Sequence, residues 1–132
     1  MKRLLYILVA VAVLNACSGV SRERMAAQAA VEYYQRLAQG DAVGFLEGKA
    51  GSDSIPTDYA EQLLNSVELY REDMQQKHSG LRQVRMSDNP PLADTLNAEP
   101  YVKTFIILCY GDSTEEEVVV PMVEINGRWL MR

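Results

Sequence analysis

Apolar positions follow several distinct rhythms along the chain. Leu4–Leu14 is a continuous apolar run without a charge. From Ser21 to Gln39, Ala26, Ala30, Tyr33, Tyr34, Leu37 and Ala38 recur at intervals of three and four, with Glu32, Gln35, Arg36 and Gln39 opposite them. That spacing predicts a helix with one buried stripe. Gly40 suits the left-handed position beyond its end. Asp41 can cap a short helix in which Val43, Phe45 and Leu46 point inward. GKAGSDSIP reads as a loop closed by Pro56. A second long helix follows, with Tyr59, Leu63, Val67, Tyr70 and Met74 as its stripe and Leu64 alongside. Thr57 or Asp58 is its expected cap, and Asp58 with Glu61 has capping-box spacing. Lys77 and His78 suit the negative end of the helix dipole, and Gly80 stops it.

After Gly80 the period falls to two. Leu81–Met86 reads as a strand, and SDNPPLADTLNAEP, with three prolines, as a long turn. Tyr101–Tyr110 is the strongest strand signal, and GDST turns it back into Glu117–Ile125. Asn126–Gly127 is a hairpin signal, because both residues tolerate positive φ, and Arg128–Met131 completes the pair. Helices first and an antiparallel meander afterwards predict an α+β fold, with the helices packed on a four-stranded antiparallel sheet.

The first run gives an address. Lys2 and Arg3 precede it, and it falls well short of the ~20 residues that cross a bilayer, so it reads as an export signal. It ends in Leu14-Asn15-Ala16-Cys17, which resembles the bacterial lipobox. That resemblance implies a signal peptide over 1–16, lipid attachment at Cys17, a short tether over 17–21 and a folded domain over 22–132. Several acyl chains, at roughly 0.8 kcal/mol per buried CH₂, would hold such a protein on a membrane. Ser18, where a sorting rule for the inner membrane places Asp, implies the periplasmic face of the outer membrane.

Charge narrows the partners. The chain has a net charge of −5, and loss of the leader removes two basic residues and no acid. No basic stripe is present, which argues against nucleic acid. With Cys17 lipidated, Cys109 has no intrachain partner and reads as a small buried hydrophobe within FIILCY.

Two stretches, VEYYQRLAQGDAVGFL and EEEVVVPMVEINGRWLMR, resemble the opening helices and closing hairpin of nuclear-transport-factor-2-like (cystatin-like) domains, including those of small bacterial lipoproteins. The resemblance implies helices lying in the hollow of a strongly curved sheet. Ketosteroid-isomerase-like enzymes of this superfamily place a tyrosine seven residues before the Gly of a Gly-Asp pair, as Tyr33 stands before Gly40. Their base would fall at Thr57, where Asp53 or Asp58 could substitute only if the loop shifted, and their second acid in a strand where Val118–Val123 has none. The chemistry needs both carboxyl groups. The expectation is therefore a non-catalytic protein without a cofactor.

Other constellations are thin. His78 is the sole histidine, read as a surface residue, so two histidines of one chain cannot share a metal. Asp112, Glu115, Glu116 and Glu117 read as a solvated turn. There is no Gly-x-Ser-x-Gly elbow and no phosphate loop. Tyr33, Tyr34, Phe45, Tyr59, Phe105 and Trp129 are the candidates for lining a small-ligand pocket between helices and sheet. Tyr101–Tyr110 is apolar on both faces, with Ile106 and Leu108 on one and Phe105, Ile107 and Cys109 on the other. One face needs cover, which predicts a homodimer or an envelope-protein partner on the outer sheet face. The expected role is interaction or envelope structure, with small apolar ligand binding as the alternative.

Overall fold

A computed structural model describes residues 20–96 and 99–132. The expected signal peptide and Cys17 lie outside the described residues.

Helix α1, Arg22–Ala38, begins where Ser21 accepts the Arg24 N–H at 3.2 Å. Helix α2, Ala42–Glu47, is capped as expected by Asp41, which accepts the Gly44 N–H at 2.9 Å. Its inward side differs from expectation. Ala42 and Gly44 are buried, Phe45 and Leu46 are half-buried, and Val43 is 55% exposed. A six-residue helix turns little more than one face to the core, and here its small residues make the close approach. A single 3₁₀ turn, Ser52–Ser54, interrupts the following loop.

Helix α3, Thr57–His78, carries Pro56 at its cap position and has no side-chain cap bond. Asp58 lies inside the first turn, so the Asp58–Glu61 box starts too late to form. Only Val67 and Met74 of the expected stripe are buried, while Tyr59 and Tyr70 are exposed. The reason is where α3 packs. Its main contacts are with α2 and the first strand, and it does not lie across the sheet. The helix stops at His78, where Ser79 and Gly80 both take positive φ, 60° and 88°, and the Gly80 N–H returns to the Met74 carbonyl.

The strands are β1 Leu81–Met86, β2 Leu92–Asp94, β3 Tyr101–Tyr110, β4 Glu115–Ile125 and β5 Arg128–Met131. All pairs are antiparallel, in the order β1-β3-β4-β5. β2 lies inside the segment expected to be a turn. It pairs with Tyr101–Lys103, and β1 pairs with Ile106–Tyr110 on the same strand. The two therefore lie end to end along one edge of β3. Pro90 and Pro91 separate them, since proline supplies no ladder donor. The sheet is four strands wide, as expected, with one edge broken. Asn126 and Gly127 take φ of 52° and 77° in the closing hairpin, as their tolerance of positive φ predicts.

The helix α1 fills the concave side. Its buried Ala26, Ala30, Tyr33 and Leu37 pack on Ile106, Leu108, Met122, Trp129 and Met131. Alanines let the helix approach closely. Leu37, Ile106, Leu108 and Met122 are almost fully buried, and each such side chain contributes roughly 1.5–3 kcal/mol. The buried polar side chain Thr104 donates to the Val120 carbonyl at 2.7 Å.

The same helix reaches both sides of the sheet. Gln35 accepts the Val84 N–H of β1 at 3.0 Å, and the Tyr33 hydroxyl donates to the Trp129 carbonyl of β5 at 2.8 Å. The Met131 N–H and carbonyl of β5 pair with Gly48 and Ala50. Backbone groups at sheet edges are thereby satisfied, which also draws the sheet around the helix.

On the convex side Phe105, Ile107 and Cys109 alternate with the core residues and are half-buried. Cys109 is thus an outward-facing residue and not part of the core. Cover comes partly from neighbouring side chains. Arg85 pairs with Glu115 at 2.9 Å, and Glu117 accepts from Ser87 and Asn89. These polar groups break up the apolar face that β3 alone implies.

Candidate functional site

The six candidate aromatics do not share one hollow. Tyr33 and Trp129 are buried in the core, joined by the hydroxyl–carbonyl bond. A Cβ at Gly48 would come within 2.4 Å of the Tyr33 ring. Glycine at 48 is therefore required by packing, and no ligand space remains on that side of the ring. Trp129 also borders a depression beside Arg22, Tyr101 and Glu124. Phe105 borders another, beside Met86 and Pro90. Tyr59 is 52% exposed on α3. Tyr34 and Phe45 do meet, edge to face at 5.1 Å.

That pair belongs to an open groove. Two adjoining depressions, of about 450 and 290 Å³, share Leu46, Lys49 and Leu63. Val43, Ile55 and Leu64 line the first, with Asp53 and Arg128 contributing polar groups. Tyr34, Val67, Tyr70, Val119 and Val120 line the second, between α3 and β4. Sequence periodicity missed this groove because Val43 and Tyr70 look like core positions. The signal that could have found it is the length of β4, which extends well beyond β5.

A phenol cluster stands at one end. Tyr110 donates to the Glu116 carboxylate at 2.7 Å, and Glu116 also acts electrostatically on Tyr70. Burial, followed by the neighbouring Tyr70, pushes the Tyr34 hydroxyl up to about 12. Burial first, and then the bond to Glu116, raises Tyr110. All three phenols stay protonated at neutral pH, so they are donors and apolar surface rather than bases.

His78 is more engaged than a free surface histidine. It stacks on Tyr110 at 4.2 Å, with Nδ1 3.1 Å from Asp112. Asp112 is held below its ordinary value first by the Thr114 hydroxyl and backbone N–H, and then by His78. This ties the β3–β4 turn to the end of α3. No three metal-ligating side chains converge among the described residues.

The isomerase geometry is not assembled around Tyr33. Thr57 opens α3, and Val118 and Val120 occupy the inner side of β4. Of the acids on that same side of the strand, Glu116 is engaged by Tyr110 and Glu124 by Arg22. Tyr33 directs its proton to a backbone carbonyl.

No protein family matches the sequence, and no characterised protein matches it in sequence. Among solved structures, the chain is similar to a Campylobacter jejuni protein provisionally named an NTF2-like transpeptidase. The likeness has a TM-score of 0.55 at 12% identity, over 77% of this chain and 92% of that one. An identity so low carries the architecture and not the activity. The described helices and curved antiparallel sheet, together with that likeness, make this chain an α+β protein of NTF2-like fold.

Proposed function

We propose that the chain is a non-catalytic interaction module, carried on the periplasmic face of the outer membrane by a lipid on Cys17. The observation behind this reading is the filled concave face. Tyr33, Leu37 and Trp129 fill the concave face along α1, and the Tyr33 hydroxyl is committed to the Trp129 carbonyl. What remains apolar and accessible is the open groove, together with the convex sheet face, which can also pair two copies.

Transpeptidation, the chemistry in the neighbour's name, needs a nucleophile activated by a base. Cys109 faces the convex side, and His78 stacks against Tyr110 and pairs with Asp112. The two do not form a thiolate–imidazole pair. A second reading, a small apolar ligand, has the groove of about 450 Å³ in its favour.

Photo-crosslinking in the native host separates the two. A benzophenone amino acid at Val43 or Val119, both exposed, should yield protein adducts of defined mass. Adducts absent from both positions and from Phe105 on the convex face would overturn the interaction reading.

A further inference from the structure

Named groups close the sheet edge at several points, while one long stretch of β4 has none among the described residues. Gln35 seals β1 at Val84, while Tyr33, Gly48 and Ala50 seal β5. β4 is longer than its partner. β5 pairs only with Met122–Ile125, and beyond that Arg132 N–H reaches the Pro121 carbonyl at 2.9 Å. Among the described residues, nothing pairs with Glu115–Val119 on that side.

The unpaired side can be assigned by position. Residues two apart in a strand direct their backbone groups the same way. The Pro121 carbonyl points to the β5 side, so the N–H and carbonyl of Val119 and Glu117 point there too. Val119 is 52% exposed. Facing this edge across the smaller depression of the groove are Val67 and Tyr70 of α3. The edge thus combines a row of backbone donors and acceptors with an apolar wall, the arrangement that accepts an extended peptide.

Charge selects the occupant. Glu115, Glu116 and Glu117 crowd one end of the edge. Lys49, exposed and in no ion pair among the described residues, stands toward the other. A second copy pairing antiparallel about Glu117 would set like charges opposite one another, which disfavours it. We propose that this edge receives an extended segment of a partner protein as an added strand. The segment is basic at the Glu116–Tyr70 end, apolar where it faces Val67 and Val120, and acidic or a free carboxylate at the Lys49 end. This deepens the interaction-module reading and rests on it.

The test is selection from a displayed library of random peptides of about ten residues, long enough for one strand, on the full chain in detergent. Val119→Pro is the counter-selection. It removes an edge N–H that the β3–β4 ladder does not use, so its circular dichroism and melting should match the parent. Enriched peptides should alternate apolar residues between a basic and an acidic end. Titrated by fluorescence anisotropy, they should bind Val119→Pro at least about tenfold more weakly. Lys49→Glu, a surface change, should weaken the same peptides and carries the test if Val119→Pro misfolds. Failure to enrich, or binding indifferent to both variants, overturns the proposal. So does self-association that Val119→Pro abolishes, which would assign the edge to a second copy. Protein crosslinks that persist at Phe105 while no peptide is selected would overturn the edge assignment and leave the interaction reading standing.

Discussion

Tyr33→Phe separates a structural tyrosine from a functional one. The substitution keeps the ring against Leu37 and the sheet and removes only the hydroxyl that donates 2.8 Å to the Trp129 carbonyl. Trp129 is 8% exposed, so water replaces the lost donor poorly. A buried hydrogen bond contributes about 0.5–1.5 kcal/mol net, and a carbonyl left unsatisfied adds to the loss, for an expected cost of about 1.5 kcal/mol. For a domain of this size that lowers Tm by roughly 5–10 °C. Urea denaturation should show a lower midpoint at unchanged slope, because the surface exposed on unfolding is the same. Tyr34→Phe, one residue along, retains the edge-to-face contact with Phe45 and should shift Tm less. A Tyr33→Phe protein that melts within about a degree of the parent would mean that α1 does not seal β5.

Gly48→Ala should destabilise by about 1–3 kcal/mol, since its methyl meets the Tyr33 ring at 2.4 Å and overpacks the site; chemical denaturation measures it, and pairing it with Tyr33→Ala should recover part of the loss. In an alkaline titration followed by tyrosinate absorbance, one step near pH 12 should disappear in Tyr34→Phe. Its folded value lies above the ordinary 10.0, so the associated stability is intact below pH 10 and is lost as pH rises toward 12. Asp112 has the opposite sign: its carboxylate supports the fold above its ordinary 3.8, and that support is lost as pH falls through the lowered value, a dependence Asp112→Asn should remove from the acid limb of a melting series. Cys17→Ser should abolish incorporation of a clickable fatty acid, and label retained by that variant would displace the lipid from this residue.

The long elements were readable because their burial is periodic. Of the α1 stripe Ala26, Ala30, Tyr33 and Leu37 are buried while Tyr34 and Ala38 are half-buried, and the alternation of β3 holds along its length. β2 was hidden because Pro90 and Pro91 mark a turn, and three residues are too few to show a period. The stripe of α3 misled because apolar spacing reports a face and not what covers it. Tyr59 and Tyr70 have helical spacing and an open groove beside them. The aromatics had the right character for a pocket, but their convergence depends on which sheet face and which depression each reaches, and that is a tertiary fact. Gln35 is the instructive miss. Among the polar residues of α1 it looked like solvent surface, yet it closes the β1 edge through Val84. No sequence period records a side chain satisfying a distant backbone group.

The proposed mode of action rests on a concave face that α1 fills with the protein's own core, leaving the surface for partners. Native mass spectrometry of the full chain, released in mild detergent from the membranes of its own host, tests it most directly. The expected species is a lipidated chain that carries another polypeptide or a second copy and retains no small molecule. A monomer holding one small organic molecule in stoichiometric amount, released by Tyr33→Ala or Trp129→Ala, would contradict it.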